Sequence, residues 1–164
     1  MSNSIILAYA SQVKWSVEKS SGDNTSSVRT NTTFIAGDSV RTDDKSEVEI
    51  IFADSSIVRL APNSKIEFIK LSKESNEMNL EDGTVWARVL KPFHDASFFT
   101  IATNDLSAGV RGTSVLIKKQ KKISQVHVID SFSEDPTKAW VVVSYKDLKN
   151  GSAKQDLVKP EQNF

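Results

Sequence analysis

The sequence predicts an all-β protein, a solenoid-like or sandwich-like stack of short antiparallel strands and hairpins with very little helix. Apolar and polar residues alternate over short runs, which is the period of a strand with one buried face. Strand and turn signals recur roughly every 8 to 14 residues, a spacing typical of sandwiches, barrels and solenoids. Apolar residues keep a helical spacing for no more than about one turn anywhere in the chain.

Length and composition fit one domain and exclude several function classes. The chain has 164 residues, and a chain of this size buries roughly 70% of its unfolded surface. Its 21 Lys and Arg residues balance 21 Asp and Glu residues. The protein therefore has no net positive charge that would attract nucleic acid, which argues against a DNA-binding protein. The absence of cysteine excludes disulfides, thiolate metal sites and a cysteine nucleophile.

The sequence is compatible with two cellular locations. Residues 4–10 form the only apolar N-terminal run, which is too short for a signal peptide and lacks its basic flank. Either the chain is cytoplasmic or a leader was removed from it. No window approaches the roughly 20 apolar residues of a membrane helix, so we expect no membrane insertion.

The first third of the chain predicts strands separated by polar turns. Val13, Trp15 and Val17 alternate with polar residues, which predicts one strand with Trp15 as a packing residue. Residues 18–33 are polar and predict an exposed loop or a long hairpin tip around Val28. Gly37 and Asp38 then lie between apolar residues, as in a tight turn, and we expect residues 1–9 to be a lead-in.

Two hairpins are predicted in the middle of the chain. Residues 48–52 and 57–60 alternate on either side of a turn containing Asp54, and Pro62 ends the second run. A strand over residues 65–71 follows. Met78 and Leu80 lead into Glu81-Asp82-Gly83, which predicts a turn, and residues 85–89 alternate out of it.

Residues 99–117 hold two more strand-like runs, with Arg111 between two glycines. Gly109 and Gly112 predict a close approach to a neighbouring backbone or a bulge. Arg111 offers five donors in a fixed fork, so it either braces turn carbonyls or a carboxylate, or meets an anionic ligand. Residues 118–122 predict a solvated, charged hairpin tip that discourages edge pairing, and the alternative is that these lysines contact phosphate or an acidic partner. Residues 10–130 are expected to form the main domain, and residues 131–164 a hairpin and a loosely held tail.

Five ordered segments resemble the FecR-type domain, an extracytoplasmic module of bacterial signalling proteins. The resemblance includes the structural positions Gly37, Asp38, Asp54, Pro62, Gly83, Gly109, Gly112 and Thr113. The five segments are Gly37 to Thr42, Asp54 to Ser64, Leu80 to Trp86, Phe99 to Thr103 and Val110 to Thr113. The resemblance implies a solenoid-like twisted stack and a sensory or protein-interaction module in the periplasm or at the cell surface of a bacterium.

The chain departs from this family pattern in two segments. Ser55 stands where a glycine is usual, and a turn that needs positive φ there costs about 1 kcal/mol or more. Asn104-Asp105 replaces a proline-containing element. The 164 residues also lack the sigma-factor-binding segment and membrane helix of the family's iron-uptake regulators. The resemblance therefore implies a sensory or interaction role, without the anti-sigma activity itself.

The residues favour binding over catalysis. His94 and His127 lie in unrelated contexts, so neither has the ligand set of a zinc site, and we expect no metal and no cofactor. If Val85 and Ala87 face the core, Trp86 and Arg88 lie on the outer face, and a tryptophan beside arginine is typical of partner or glycan surfaces. The alternative is that both faces of this strand are buried between stacked sheets. We expect a non-enzymatic module whose partner is a receptor, a sigma-regulator or an envelope component. The alternative is a carbohydrate or cell-envelope binding domain.

Overall fold

The computed structural model describes residues 5–90, 98–131, 140–146 and 151–158. Within these ranges the chain forms fifteen strands and no helix, which confirms the predicted all-β class. The strands are β1 (Ala8–Lys14), β2 (Val17–Ser21), β3 (Asn24–Ser27), β4 (Thr33–Phe34), β5 (Asp38–Thr42), β6 (Glu47–Phe52), β7 (Ile57–Leu60), β8 (Lys65–Lys70), β9 (Ser75–Val89), β10 (Phe98–Ala102), β11 (Leu106–Arg111), β12 (Thr113–Gln120), β13 (Ile123–Ser131), β14 (Trp140–Lys146) and β15 (Ala153–Val158).

The strands form two sheets that share β9. Sheet A has the order β4-β1-β6-β7-β9-β12-β13, and sheet B has the order β3-β2-β5-β8-β9-β10-β11-β14-β15. Among the described strands, neighbours are antiparallel except β9 and β10, which are parallel. The chain crosses repeatedly from one sheet to the other, so it winds as a solenoid does while its two sheets pack as in a sandwich.

The hydrophobic core lies between the two sheets. Phe34 and Phe52 of sheet A contact Phe68 and Phe99 of sheet B, and all four side chains are buried. The ring centroids lie 5.2 Å apart for Phe34 and Phe68 and 5.0 Å apart for Phe52 and Phe99. Such aromatic pairs add about 0.5–1.5 kcal/mol each beyond the area they bury. These ring contacts hold the two sheets face to face.

The predicted turn at Glu81-Asp82-Gly83 is wrong, because β9 runs through it as one strand of 15 residues. Its first part pairs with β8 and β10 in sheet B, and its second part pairs with β7 and β12 in sheet A. Gly83 lies at the crossing with a φ of +92°, where an added Cβ would stand 2.5 Å from the Cα of Ser64. Here the glycine allows a strand to cross between sheets instead of closing a hairpin.

Trp15 is not a packing residue, because the strand predicted around it is two strands in different sheets. β1 belongs to sheet A and β2 to sheet B, and Trp15 lies in the turn between them with a φ of 62°. Its side chain is 75% exposed. The alternation of Val13, Trp15 and Val17 therefore reflects two separate burial patterns.

The polar stretch at residues 18–33 is more ordered than predicted. β2 and β3 form an antiparallel hairpin whose tip lies at Gly22 and Asp23. Val28 is buried, not part of an exposed tip.

The hairpin predicted at residues 118–122 is confirmed, because β12 and β13 pair antiparallel and Lys121 and Lys122 form an exposed turn between them. Lys119 differs from the predicted solvated tip, because its side chain is buried. Its ammonium donates to the Lys121 carbonyl oxygen at 2.6 Å and lies 3.7 Å from the Asp105 carboxylate.

The turn between β6 and β7 confirms the hairpin predicted there. The Asp54 carboxylate accepts a hydrogen bond from the Ser56 amide at 2.9 Å, and the Ser55 amide donates to the Phe52 carbonyl oxygen at 2.9 Å. Ser55 has a φ of 65°. The turn therefore keeps positive φ at this position, and the serine bears the conformational cost that a glycine would avoid.

Gly112 and Gly109 differ in whether the local backbone favours a glycine. Gly112 has a φ of +61° and lies between β11 of sheet B and β12 of sheet A, where the chain changes sheets. Gly109 lies inside β11, and an added Cβ would stand 3.9 Å from the Val142 carbonyl oxygen, an ordinary contact. The predicted close approach at Gly109 is therefore wrong, because the neighbouring backbone leaves room for a side chain.

Several segments that carry the family resemblance contact one another around Ser64. The Ser64 amide donates to the Thr42 hydroxyl at 2.9 Å, and the Thr42 hydroxyl donates to the Ala61 carbonyl oxygen at 2.7 Å. The Thr84 amide donates to the Ser64 hydroxyl at 2.9 Å. Both Thr42 and Ser64 are buried. This network connects the turn after Pro62 to β5 and to the crossing in β9.

The Asp38 side chain stabilises the turn that precedes β5 by hydrogen bonding. Its buried carboxylate accepts a hydrogen bond from the Ile35 amide at 2.9 Å and another from the Ser21 hydroxyl, and it pairs with the Lys19 ammonium at 2.9 Å. Gly37 precedes it with a φ of +92°. Burial raises the pKa of Asp38, but the hydrogen bonds from Ser21, Ile35 and Lys19 outweigh it and hold the pKa below its ordinary value.

Candidate functional site

The outer face of sheet A brings aromatic, apolar and charged side chains together. Along β9, Val85, Ala87 and Val89 are buried in the core, so Trp86 and Arg88 face outward, which is the first of the two alternatives that the sequence leaves open. The pairing register places Glu49 opposite Arg59, Arg59 opposite Trp86, and Trp86 opposite Leu116. These four residues form one row across β6, β7, β9 and β12.

Arg59 connects the aromatic and acidic members of this row. Its guanidinium lies over the Trp86 ring, 5.0 Å from the ring centroid, which is cation–π geometry. Its Nε donates to the Glu49 carboxylate at 2.6 Å. The Ser11 hydroxyl donates to the other Glu49 oxygen at 2.7 Å. Because strand pairing fixes the positions of Trp86 and Glu49, the planar guanidinium of Arg59 has a defined orientation.

Glu49 is a buried carboxylate on an otherwise accessible face. Burial raises its pKa, but the hydrogen bonds from Ser11 and Arg59 and the charge of Arg59 outweigh burial, so the net pKa lies below its ordinary value. The carboxylate is therefore ionised at neutral pH. Its negative charge holds Arg59 against the Trp86 ring.

A shallow cleft follows this row, and we call it the Trp86 cleft. It has a volume of about 600 Å³ and is lined by residues of β1, β6, β7, β9 and β12. Trp86 and Leu116 supply apolar surface, and Lys14, Glu47 and Arg59 supply charge. Lys14 and Glu47 pair at 3.7 Å. The cleft therefore combines apolar surface with charged groups of both signs.

The structure brings only two of the three predicted binding residues onto one face. Trp86 and Arg88 both lie on the outer face of sheet A, where Arg88 is opposite Ile57 and Ser114. Arg111 lies at the end of β11 in sheet B, opposite Trp140 of β14. It is half-buried there. Arg111 therefore belongs to a different part of the molecule from the Trp86 cleft.

The sequence did not single out Arg59, Glu49 or Ser11. The alternation of β6 and β7 already places Glu49 and Arg59 outward, because Val48, Ile50, Val58 and Leu60 face the core. This alternation of apolar and polar residues does not show which strands are neighbours in the sheet. β7 is adjacent to β9 although 14 residues separate Leu60 from Ser75, and only that adjacency places Arg59 over Trp86.

The histidines and carboxylates of the described residues do not form a metal-binding cluster. Within the described ranges, no three His, Asp or Glu side chains cluster as metal ligands. His127 lies half-buried on β13 opposite Leu116, and His94 lies outside the described residues. In the described part of the chain, none of the elements is a helix long and apolar enough to span a bilayer.

Comparisons with known proteins identify a family and a similar fold. The sequence model of the family described as FecR protein matches residues 38–131. Two crystal structures of a candidate anti-sigma factor from Parabacteroides distasonis ATCC 8503 have TM-scores of 0.50 and 0.49 and are 13% identical. In both, the match covers 75% of this chain and 61% of that chain, so this chain corresponds to about three fifths of their length. A comparison with curated protein sequences gives no significant match.

Proposed function

Because the chain belongs to the FecR family, we propose that it is a non-enzymatic signalling module that acts outside the cytoplasm by contact with another protein. The observation that carries this proposal is the Trp86 cleft, where Arg59 stacks on Trp86 and is held by the buried Glu49. The description of the similar fold as a candidate anti-sigma factor is consistent with a signalling role.

The chemistry of the cleft supports a protein partner. Trp and Arg are the residues that most often dominate the binding energy of protein interfaces, especially where neighbouring contacts exclude water. Trp86 and Arg59 line the cleft together with the exposed charged pair of Lys14 and Glu47. The partner is a receptor, a sigma-regulator or another envelope component that inserts an apolar side chain beside Trp86 and pairs with the charges at the edge.

Site-directed photocrosslinking in the source bacterium tests the proposal. A photoreactive amino acid replaces Lys14, which is exposed at the edge of the cleft, and in a matched control it replaces Ile69, which is exposed on sheet B. We expect one reproducible protein adduct from position 14 and none from position 69. Adding Trp86→Ala to the position 14 variant is expected to remove the adduct. The same adduct from both positions, or its persistence in Trp86→Ala, contradicts the proposal.

A second candidate function is binding of a carbohydrate or another cell-envelope polymer. It is favoured by the indole of Trp86, because sugars also bind to tryptophan faces near polar groups. Against it, the Arg59 guanidinium already lies over the ring. Titration of glycans and peptidoglycan fragments against tryptophan fluorescence separates the two functions. Saturable quenching that is lost in Trp86→Ala and kept in Trp15→Ala would establish glycan binding in place of the proposed protein contact.

A further inference from the structure

A second cleft lies beside the Trp86 cleft on the outer face of sheet A, and we call it the lysine cleft. It has a volume of about 800 Å³ and is lined by residues from the end of β12, the start of β13, the turn between them and β9. Its charged side chains are Lys118, Lys121, Lys122 and Asp82. The cleft therefore contains three ammonium groups and one carboxylate, although the charges of the whole chain balance.

The lysine cleft adjoins the Trp86 cleft along β12. Leu116 and Lys118 are on the same face of this strand, and Ile117 between them is buried. Leu116 lines the Trp86 cleft, and Lys118 follows at about 7 Å along the strand. Thr84 also lines the Trp86 cleft, and it lies opposite Lys118 in the strand register. A single extended ligand can therefore occupy both clefts.

The backbone at the tip of the lysine cleft is held from inside the protein. The buried Lys119 ammonium donates to the Lys121 carbonyl oxygen at 2.6 Å and lies 3.7 Å from the Asp105 carboxylate. Lys121 has a φ of 55°, which Gly, Asn or Asp adopts at lower cost in a two-residue hairpin turn. Lys119 thus has an acidic partner, whereas among the described residues no carboxylate forms an ion pair with Lys118, Lys121 or Lys122. These three lysines are available to a ligand.

We propose that the lysine cleft binds an acidic segment of the protein whose apolar side chain lies beside Trp86, an inference that rests on the protein partner proposed for the Trp86 cleft. In an extended segment every second side chain points to the same side, at a spacing of about 7 Å. Carboxylates at this spacing from the apolar residue reach Lys118 and then the turn lysines Lys121 and Lys122. Charge complementarity of this kind selects the partner and speeds its association.

The surroundings of the lysines favour an acidic polypeptide over a phosphate ligand. Phosphate groups and anionic membranes bind lysine through its charge, and they make no use of the apolar surface of Trp86 and Leu116 in the adjoining cleft. Gln120 and Gln125 also line the lysine cleft, and their amides can donate to and accept from a peptide backbone. An acidic segment with a neighbouring apolar residue uses all of these groups.

A synthetic peptide tests the charge preference without the natural partner. The probe is dye-labelled Leu-Ser-Glu-Ser-Glu-Ser-Glu, and the matched peptide has glutamine in place of each glutamate. By fluorescence anisotropy at low salt, we expect the glutamate peptide to bind at least about tenfold more tightly and to weaken as salt screens the charges. No preference for the glutamate peptide would overturn the proposal. Tighter binding of pyrophosphate, or of vesicles of phosphatidylglycerol and phosphatidylethanolamine, would also overturn it, in favour of a phosphate ligand.

A lysine-cleft variant assigns the peptide binding to this surface. It carries Lys118→Gln, Lys121→Gln and Lys122→Gln, and we expect it to bind the glutamate peptide at least about tenfold more weakly than the parent chain. The control variant carries the same change at three lysines that are exposed elsewhere, Lys45, Lys70 and Lys73. It is expected to bind as the parent does, and urea unfolding checks that both variants are folded. Equal affinity of the lysine-cleft variant and the parent would contradict the proposal.

Photocrosslinking in the source bacterium separates this inference from the proposed function. A photoreactive amino acid replaces Gln120, which is exposed in the lysine cleft. We expect the same protein adduct from position 120 as from position 14. An adduct from position 14 with none, or a different one, from position 120 would overturn the acidic segment and leave the Trp86 cleft as a protein-binding site. Absence of an adduct from both positions would overturn both proposals.

Discussion

At the scale of single residues, the structure shows which unusual positions the fold depends on. Gly83 and Ser55 both have positive φ, yet their surroundings differ. Gly83 lies against the backbone of Asn63 and Ser64, whereas Ser55 is an exposed turn residue. Positive φ favours glycine at both positions, but the chain has a serine at position 55. Whether the position tolerates a side chain depends on neighbours that are distant in the sequence.

Gly83→Ala is expected to be strongly destabilising. The new Cβ would lie 2.5 Å from the Ser64 Cα and 2.6 Å from the Asn63 carbonyl oxygen, and the residue would keep a strained φ of +92°. We expect a loss of at least about 3 kcal/mol in the free energy of unfolding, measured in urea. Gly22→Ala is the control, since it has φ of +56° with no atom within 4 Å, and should cost only about 1 kcal/mol. Equal losses would contradict the crossing geometry.

Stability should fall in acid because of buried carboxylates. The pKa of Asp38 lies below its ordinary 3.8 in the folded chain, since hydrogen bonds from Ser21, Ile35 and Lys19 outweigh the burial that raises it. The unfolded chain therefore binds more protons as pH falls. The contribution of Asp38 is complete above the unfolded pKa and is lost as pH falls through the folded pKa.

Urea unfolding between about pH 7 and about pH 3 measures this effect. We expect the free energy of unfolding to decrease below about pH 4, and we expect Asp38→Asn to be less stable at neutral pH with a weaker acid dependence. Asp23→Asn, at the exposed tip of the β2–β3 hairpin, is the control and should match the parent. An acid dependence unchanged by Asp38→Asn would show that this carboxylate is not the source.

At the scale of elements, the sequence predicts local hairpins well and sheet crossings poorly. The β6–β7 hairpin follows from alternation around Asp54 to Ser56, because both strands and their turn are contiguous. The sequence predicts two strands in place of β9, because Asp82-Gly83 has the form of a turn. It predicts a packing role for Trp15, because the alternation of β1 and β2 continues across two strands that lie in different sheets. Alternation shows which residues of a strand share a face, but the neighbouring strand depends on the whole topology.

An insertion distinguishes a continuous β9 from a hairpin. Two residues, Gly-Ser, are added after Asp82, where they would separate the part of β9 in sheet B from the part in sheet A. We expect a loss of more than about 3 kcal/mol, because both registers cannot be kept. The same insertion after Gly22 lengthens a true hairpin tip and should cost less than about 1 kcal/mol. A small cost at both sites would contradict a strand that spans both sheets.

At the scale of the whole molecule, two sheets and one shared strand produce the candidate site. The ring contacts between Phe34, Phe52, Phe68 and Phe99 hold the sheets together, which leaves the outer face of sheet A accessible. The alternation in the sequence predicts that Trp86 faces outward if Val85 faces the core, and Val85 is buried. It did not predict the partner of the indole, because Arg59 reaches Trp86 only through the order of strands in sheet A.

The central claim is that the Trp86 cleft binds a protein partner, and the affinity of the partner identified by crosslinking tests it most directly. Trp86→Ala is compared with Ile69→Ala, an exposed residue of sheet B. We expect Trp86→Ala to weaken binding by at least about thirtyfold, which corresponds to about 2 kcal/mol for a dominant interface residue, and Ile69→Ala to leave it unchanged. Equal affinity of Trp86→Ala and the parent chain would contradict the claim.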